Sequence, residues 1–98
     1  MSDEVDNIYW IKDARIALEE ILEYRYKDIP TAKRIVRLDI IRVTESIKFL
    51  KQYQRDADNL SYRCIFIRDY KILYSIRQQD IYIINVICVK ADKQQNPI

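Results

Sequence analysis

Basic side chains recur through the last third of this 98-residue chain, inside apolar runs that are dense in isoleucine, tyrosine and valine. They are Arg63, Arg68, Lys71, Arg77 and Lys90. Cations on a small sheet can neutralise the phosphates of a nucleic acid, which releases counterions, or pair with the carboxylates of an acidic protein. The pattern therefore predicts a basic surface that binds RNA, DNA or an acidic partner.

The charge is unevenly distributed along the chain, although the net charge is only +2. Residues 1–32 carry four basic and eight acidic side chains, whereas residues 33–98 carry thirteen basic and seven acidic side chains. This separation favours a basic face in the second part of the chain. An excess this small is also typical of an ordinary solvated surface, so composition alone leaves both interpretations open.

Histidine and glycine are both absent from the sequence, which excludes several kinds of site. Without histidine the chain lacks the commonest general base and the Ser/His and Cys/His nucleophile pairs. Without glycine it lacks the loop that cradles a nucleotide phosphate, and the tight turns at 68–70 and 78–80 are expected to use Asp-like, Asn-like or right-handed geometry. Cys64 and Cys88 are not a vicinal pair and are predicted to be two buried thiols. No metal ion or cofactor is expected.

Three apolar segments, separated by two or three turn residues, predict an antiparallel meander. The strands are expected at 62–67, 71–77 and 81–89, and their β-branched and aromatic residues fit a pleated, half-buried surface. Because successive side chains point to opposite faces of a strand, we expect one face to hold Arg63, Lys71 and Arg77. This face is the candidate binding surface.

The first half of the chain predicts one short strand, 5–10, followed by a helical hairpin. Asp13 is expected to cap a first amphipathic helix that extends to about Lys27. Pro30 is typical of the first turn of a second helix, in which apolar residues recur at intervals of four and three as far as Leu50. The three-residue break between the helices predicts that they pack antiparallel.

The second helix carries more apolar residues than one buried stripe requires, because Ile35, Leu38 and Ile41 lie off its principal seam. They either contact another protein or pack on the first helix or the sheet edge. Together the elements predict a single α+β domain over 1–98 of order β-α-α-β-β-β, with the hairpin packed on a small twisted antiparallel sheet. Residues 92–98 have no periodicity and are expected to fray.

No segment approaches the roughly 18 consecutive apolar residues that a membrane-spanning helix needs. The acidic N-terminus, with Asp3, Glu4 and Asp6, does not resemble a signal peptide either. We therefore expect a soluble cytoplasmic protein without a membrane partner.

The order of these elements, together with particular residues, resembles the RelE/ParE superfamily of bacterial toxins from type II toxin–antitoxin systems. In the first half, the residues that resemble the helical hairpin of the ParE-like branch are Ala14, Leu18, Ile21, Tyr24, Pro30 and Ala32. In the second half, the segments that resemble the family's meander are 62–63, 70–74 and 83–87. The resemblance spans nearly the whole chain and implies a small intracellular toxin that inhibits growth.

The resemblance also implies a partner. A toxin of this superfamily is neutralised by an antitoxin from the same operon, so a hetero-oligomer with a cognate antitoxin is expected. The partner-binding residues would be Ile35, Leu38 and Ile41 on the second helix, with Arg63 and Arg77 on the sheet. The antitoxin would dock an amphipathic helix or add a strand to the sheet edge.

The superfamily contains both inhibitors of DNA gyrase and ribosome-dependent messenger-RNA nucleases. In the nucleases, basic side chains of the meander stabilise the developing phosphorane charge; here Arg63 and Lys71 match two such positions, and Lys90 or Lys93 would supply a third. Ile65 stands where a second lysine is expected, and Cys88 stands where a histidine is frequent. The resemblance therefore favours ParE-like inhibition of gyrase, with cleavage of messenger RNA as the alternative, and leaves open whether the chain is an enzyme.

A third interpretation is a basic interaction module that has lost toxin activity. In such a module Tyr70, Tyr74 and Tyr82 would stack on nucleic-acid bases. Tyrosines that alternate with isoleucine in strands more often pack in a core. The interpretations therefore differ in which side chains share an exposed surface.

Overall fold

Two helices cover one face of a four-stranded sheet in the computed structural model, which describes residues 2–89. The elements are β1 (Asn7–Trp10), α1 (Lys12–Tyr26), α2 (Pro30–Glu45), β2 (Arg63–Ile67), β3 (Tyr70–Arg77) and β4 (Asp80–Cys88). The α+β class and the β-α-α-β-β-β order predicted from the sequence are confirmed. Lys90 and the predicted frayed tail, 92–98, lie outside the described residues.

The sheet has the order β1-β4-β3-β2. Strands β2, β3 and β4 form the predicted antiparallel meander, but β1 pairs parallel to β4, so that the sheet is mixed. Parallel strands need a long crossover connection. The helical hairpin and the first two strands of the meander provide that connection, because they lie between β1 and β4 in the chain.

The core lies between the helices and the sheet, and two tyrosines belong to it. Tyr70 and Tyr74 are completely buried. The Tyr74 hydroxyl donates to the Leu50 carbonyl oxygen at 3.2 Å, and the Tyr70 hydroxyl lies 3.0 Å from the Tyr26 hydroxyl. Burial raises the pKa of both Tyr70 and Tyr74. The interpretation of these two residues as core packing is confirmed, and neither is available to stack on a base.

Helix α1 begins differently from the prediction. Ile11 precedes the first turn and makes no side-chain capping hydrogen bond, so the expectation that Asp13 caps the helix is wrong. Asp13 lies inside the first turn, where a carboxylate still interacts favourably with the helix dipole. The extended backbone of β1 runs almost directly into α1, which leaves no separate capping residue.

Helix α2 begins at Pro30 as predicted, but it ends at Glu45, before the apolar spacing does. The Ser46 hydroxyl donates to the Val43 carbonyl oxygen at 2.6 Å, a bond that competes with continuation of the helix. Ile47 and Leu50 are nevertheless buried in the core. The apolar residues keep their spacing beyond Glu45 because the segment that follows the helix packs against the same core.

The two hairpin turns adopt left-handed conformations without glycine. Arg68 has a φ of 51° and Gln78 a φ of 57°. The sequence predicted Asp-like, Asn-like or right-handed geometry at these turns, whereas the residues that adopt the left-handed conformation are an arginine and a glutamine. Tight turns between right-twisted strands require residues with positive φ, and a residue with a side chain adopts that conformation at a cost of about 1 kcal/mol.

Candidate functional site

Arg63 and Lys71, predicted to form one basic surface, lie on opposite faces of the sheet. Residues directly paired in an antiparallel ladder share a face; Arg63 pairs with Tyr74, whereas Lys71 pairs with Phe66. Tyr74 is in the helix-facing core, and Phe66 is 59% exposed on the helix-free face. The prediction that Arg63 shares a face with Lys71 and Arg77 is therefore wrong. Alternation holds within β2 and β3, but the turn sets the register between these strands.

Lys71 is enclosed on the helix-free face. Its ammonium lies 2.8 Å from the Asp56 carboxylate and 3.2 Å from that of Asp58. Lys71 is only 9% exposed and Asp56 only 2%. Their hydrogen bond lowers the pKa of Asp56 and raises the pKa of Lys71. Lys71 is thus charged, but the carboxylates of Asp56 and Asp58 balance its charge. The side chain is also shielded from an incoming phosphate.

The carboxylates that hold this lysine come from the 51–62 loop, which runs along the edge of β2. The Cys64 amide donates to the Gln54 carbonyl oxygen at 3.0 Å. The Asp56 amide donates to the Tyr62 carbonyl oxygen at 2.9 Å. The segment 54–56 therefore pairs with β2 like a short additional strand.

Arg55 and Arg63 form the bridge between these two backbone hydrogen bonds. This is a non-hydrogen-bonded pair, the kind in which opposing side chains come closest, and both arginines lie on the same side of the ladder. Arg63 Nη1 donates to the Tyr53 carbonyl oxygen at 2.7 Å, and Arg55 Nη1 donates to the Leu60 carbonyl oxygen at 3.4 Å. These bonds hold the guanidinium groups without supplying a counter-charge, and like charges directly opposite each other destabilise a sheet.

The two arginines and Lys51 line a pocket of about 180 Å³, here called the basic pocket. The other residues that line it are Leu60, Ser61, Tyr62, Tyr74 and Ile76. Within the described range 2–89, no carboxylate lines this pocket. Cations that converge with hydroxyl groups are suited to a phosphate or carboxylate ligand. Sequence reasoning identified Arg63 but missed Lys51 and Arg55, since no periodicity in the loop indicates that it pairs with β2.

Arg77 is exposed on the helix-free face, away from the basic pocket. Its guanidinium carbon is 5.7 Å from the centre of the Tyr82 ring, within the range of a cation–π contact. The Tyr82 ring centre lies 5.2 Å from that of Tyr9. Arg77 therefore belongs to a small aromatic row at the β1 side of the sheet and does not join Arg63.

Three apolar residues lie on the outward side of α2, here called the α2 surface: Ile35, Leu38 and Ile41. Ile35 is 44% exposed and Leu38 is 38% exposed, while Ile41 is half-buried. The core-facing side of the helix is formed instead by Val36 and Ile40. Ile35 and Leu38 thus keep more than a third of their surface exposed, which favours contact with another protein over packing on α1 or the sheet edge.

Arginines flank the α2 surface. Arg34 and Arg42 are both exposed, and among residues 2–89 neither forms an ion pair with a carboxylate. Other cations of the hairpin are neutralised, since Lys33 pairs with Glu23 and Arg37 with Glu19. Ion pairs between the helices thus cancel part of the positive charge of α2. Arg34 and Arg42 leave positive charge beside the α2 surface.

Beside Ile41, a groove of about 410 Å³ separates α1 from α2. Its apolar lining includes Ile8, Trp10 and Leu18. The Trp10 indole Nε1 donates to the Thr44 hydroxyl at 3.3 Å, which holds the ring in place. The groove extends the apolar area of the α2 surface toward β1.

Cys64 is a buried free thiol, and Cys88 is a half-buried one. Burial raises the pKa of Cys64. In the part of the chain that the structure describes, no group of three or more potential metal-ligating side chains is brought together. No described helix combines the length and the apolar character that crossing a bilayer would require.

Comparison with known proteins identifies a similar fold. No protein-family model matches the sequence, and no curated protein matches it either. Among solved structures, a chain of the chromosomal ParDE toxin–antitoxin (TA) system from P. aeruginosa superposes with a TM-score of 0.74 over 90% of this chain and 99% of that chain. The two sequences are 15% identical. At this identity the likeness shows a shared fold over nearly the whole of both chains.

Proposed function

We propose that this chain is the toxin component of a type II toxin–antitoxin system and that a cognate antitoxin neutralises it in a hetero-oligomer. The observation that carries the proposal is the α2 surface, an apolar strip that is partly exposed to solvent. It lies on a fold that is shared with a chain of a ParDE system. Contiguous exposed apolar patches are typical of interaction sites. The resemblance read from the sequence favours the same assignment.

The chemistry of the α2 surface specifies the antitoxin segment that would cover it. Ile35 and Leu38 would each contribute about 1 kcal/mol on losing their remaining exposure. Arg34 and Arg42, which border this strip, would pair with carboxylates. The expected partner segment is therefore an amphipathic helix with an apolar stripe and acidic residues beside it.

Removal of this surface tests the assignment. Induction of the chain alone should arrest bacterial growth, and co-expression of the neighbouring gene should relieve the arrest. The double change Ile35→Asp/Leu38→Asp should keep the arrest but abolish relief. Growth that continues when the chain is expressed alone would contradict the assignment as a toxin.

For the target, we propose ParE-like inhibition of DNA gyrase by binding. The support is the separation of the expected nuclease cations, since Arg63 and Lys71 are on opposite faces and Lys71 is neutralised by Asp56. These two cations are not placed to contact one phosphate together. Purified protein should block gyrase supercoiling and accumulate cleaved DNA. Unchanged supercoiling at high protein concentration would refute this target.

The second candidate function is ribosome-dependent cleavage of messenger RNA. The observation that favours it is the basic pocket, where Lys51, Arg55 and Arg63 face a space that no carboxylate of residues 2–89 lines. Electrostatic stabilisation of the transition state is frequently the largest contribution to catalysis. New messenger-RNA 5′ ends in phase with codons, lost in the Arg63→Met variant, would support cleavage. Growth arrest without new ends would contradict it.

A further inference from the structure

We propose that Lys71 is a positioning residue for the basic pocket: its ion pair with Asp56 holds segment 54–56 against β2 and thereby keeps Arg55 opposite Arg63. The proposal rests on the second candidate function, in which this pocket binds phosphate. Sequence reasoning gave Lys71 direct contact with phosphate. Its burial on the opposite face indicates an action through Asp56 instead.

Strand alternation connects the two faces. Segment 54–56 pairs with β2, so Arg55 points to one side while its neighbours Gln54 and Asp56 point to the other. The Gln54 side chain reaches the Cys64 sulfur at 3.6 Å, and Asp56 reaches Lys71 at 2.8 Å. A displacement of Asp56 therefore displaces Arg55, because both belong to the same short extended segment.

The ion pair between Lys71 and Asp56 opposes a repulsion between two arginines. Arg55 and Arg63 repel each other at the shortest cross-strand spacing, and their hydrogen-bond partners are neutral carbonyl oxygens. The repulsion tends to move the 51–62 loop away from β2. On the reverse face, the attraction between Lys71 and Asp56 acts in the opposite direction and opposes that movement.

Asp56 also holds the returning part of the loop. Its Oδ2 accepts a hydrogen bond from the Asn59 amide at 2.9 Å, and the Tyr62 amide donates to the Asn59 carbonyl oxygen at 3.0 Å. The residues that follow Asn59 line the basic pocket. Asp56, held by Lys71, thus organises both legs of the loop around the two arginines.

The test measures binding of a fluorescein-labelled decauridylate by fluorescence polarisation across a salt series. The key variant is Asp56→Asn/Lys71→Met, which removes the buried ion pair without leaving a buried unpaired charge and keeps the acceptor for Asn59; Asp58, which also loses Lys71, is exposed to solvent. Its affinity should fall roughly tenfold, and the slope of log Kd against log salt should fall by about 0.7, the value for one lost phosphate contact on a single strand.

Matched variants separate position from charge. Glu23→Gln/Lys33→Met removes the same charges from an exposed interhelical pair, and Lys71→Arg keeps the ion pair; both should bind within about twofold of the unaltered chain, a difference below 0.5 kcal/mol. Circular dichroism and thermal unfolding establish that each variant is folded. If the key variant does not fold, Asp56→Glu replaces it, because one extra methylene moves the segment while the charges remain. That variant should weaken binding severalfold.

The outcomes distinguish the proposal from the function on which it rests. If Arg63→Met weakens binding but Asp56→Asn/Lys71→Met binds like the unaltered chain, the positioning role is refuted and the pocket remains. If neither change affects binding, the pocket is not the anion site and both proposals fail. Weakening by both, with the control pair unchanged, supports the positioning role.

Discussion

The Lys71 ammonium and the Asp56 carboxylate meet at 2.8 Å beneath the 51–62 loop, and both residues are buried. This ion pair acts together with the backbone hydrogen bonds of segment 54–56 to hold the polar loop in a defined position along the edge of β2. It also explains why this basic residue, the second of β3, is not available to a ligand. Buried pairs of this kind strongly destabilise a protein when one partner is removed.

The Lys71→Met variant should therefore lower the free energy of unfolding by about 3 kcal/mol, because Asp56 is left buried and unpaired. The double variant Asp56→Asn/Lys71→Met should recover most of that loss. Urea unfolding followed by circular dichroism measures both values. Lys51→Met, at an exposed position, serves as the control and should change stability by less than about 0.5 kcal/mol. Equal stability of the single and double variants would contradict the assignment.

The same pair predicts a dependence of stability on pH. The pKa of Asp56 is lowered in the folded state by its hydrogen bond from Lys71, so its contribution is present above the unfolded value, about pH 4, and is lost as pH falls through the folded value. Acid unfolding of the unaltered chain should therefore steepen below about pH 4. The double variant should show a shallower decline there, measured as urea midpoints at each pH. Parallel curves for the two proteins would show that Asp56 does not contribute.

Arg55→Met should raise stability by roughly 0.5 kcal/mol, since it removes repulsion between directly opposed like charges. It should also weaken binding of a single-stranded RNA, because one of three cations of the basic pocket is lost. Thermal unfolding and polarisation titrations measure the two effects. Lys27→Met removes an exposed charge elsewhere and is the control for net charge. A loss of stability in Arg55→Met would indicate that its bond to the Leu60 carbonyl oxygen outweighs the repulsion.

Ile35→Asp/Leu38→Asp should abolish co-purification with the product of the neighbouring gene and leave the fold intact. A charged side chain on the α2 surface would have to be desolvated by an apolar partner helix. Pull-down of the tagged chain measures the interaction, and circular dichroism measures the fold. Phe66→Asp changes an exposed apolar residue on the opposite side and should not affect binding. Retained co-purification would place the partner elsewhere.

Gln78→Gly should raise the free energy of unfolding by up to about 1 kcal/mol, because glycine adopts the left-handed conformation of this turn without the cost that a side chain incurs. Gln78→Ala keeps a side chain at the same φ and should leave stability nearly unchanged. Chemical denaturation compares the three proteins at fixed pH and salt. A destabilised Gln78→Gly variant would show that chain flexibility outweighs the relief of strain.

The order of the elements, the meander and the apolar surplus of α2 follow from the sequence because they are local properties. Intervals of three and four residues identify a helix, and alternating apolar runs identify a strand, whatever the rest of the chain does. Ile35 and Leu38 were selected in this way, and the structure leaves both exposed. Chain composition also excluded histidine chemistry without any structural information.

The grouping of cations depended on tertiary structure. Alternation assigns Arg63 to one of the two faces of its strand. The register across the turn decides whether Lys71 shares that face, and a shift of one residue is enough to reverse the result. The pairing of 54–56 with β2 likewise has no local signal, since it arises from backbone hydrogen bonds and from the Lys71–Asp56 attraction. The sequence by itself determined which elements form and which residues carry charge. The tertiary structure decided that Arg63 faces Arg55 in an open pocket while Lys71 is neutralised beneath the loop, because contacts between residues distant in sequence set both register and burial.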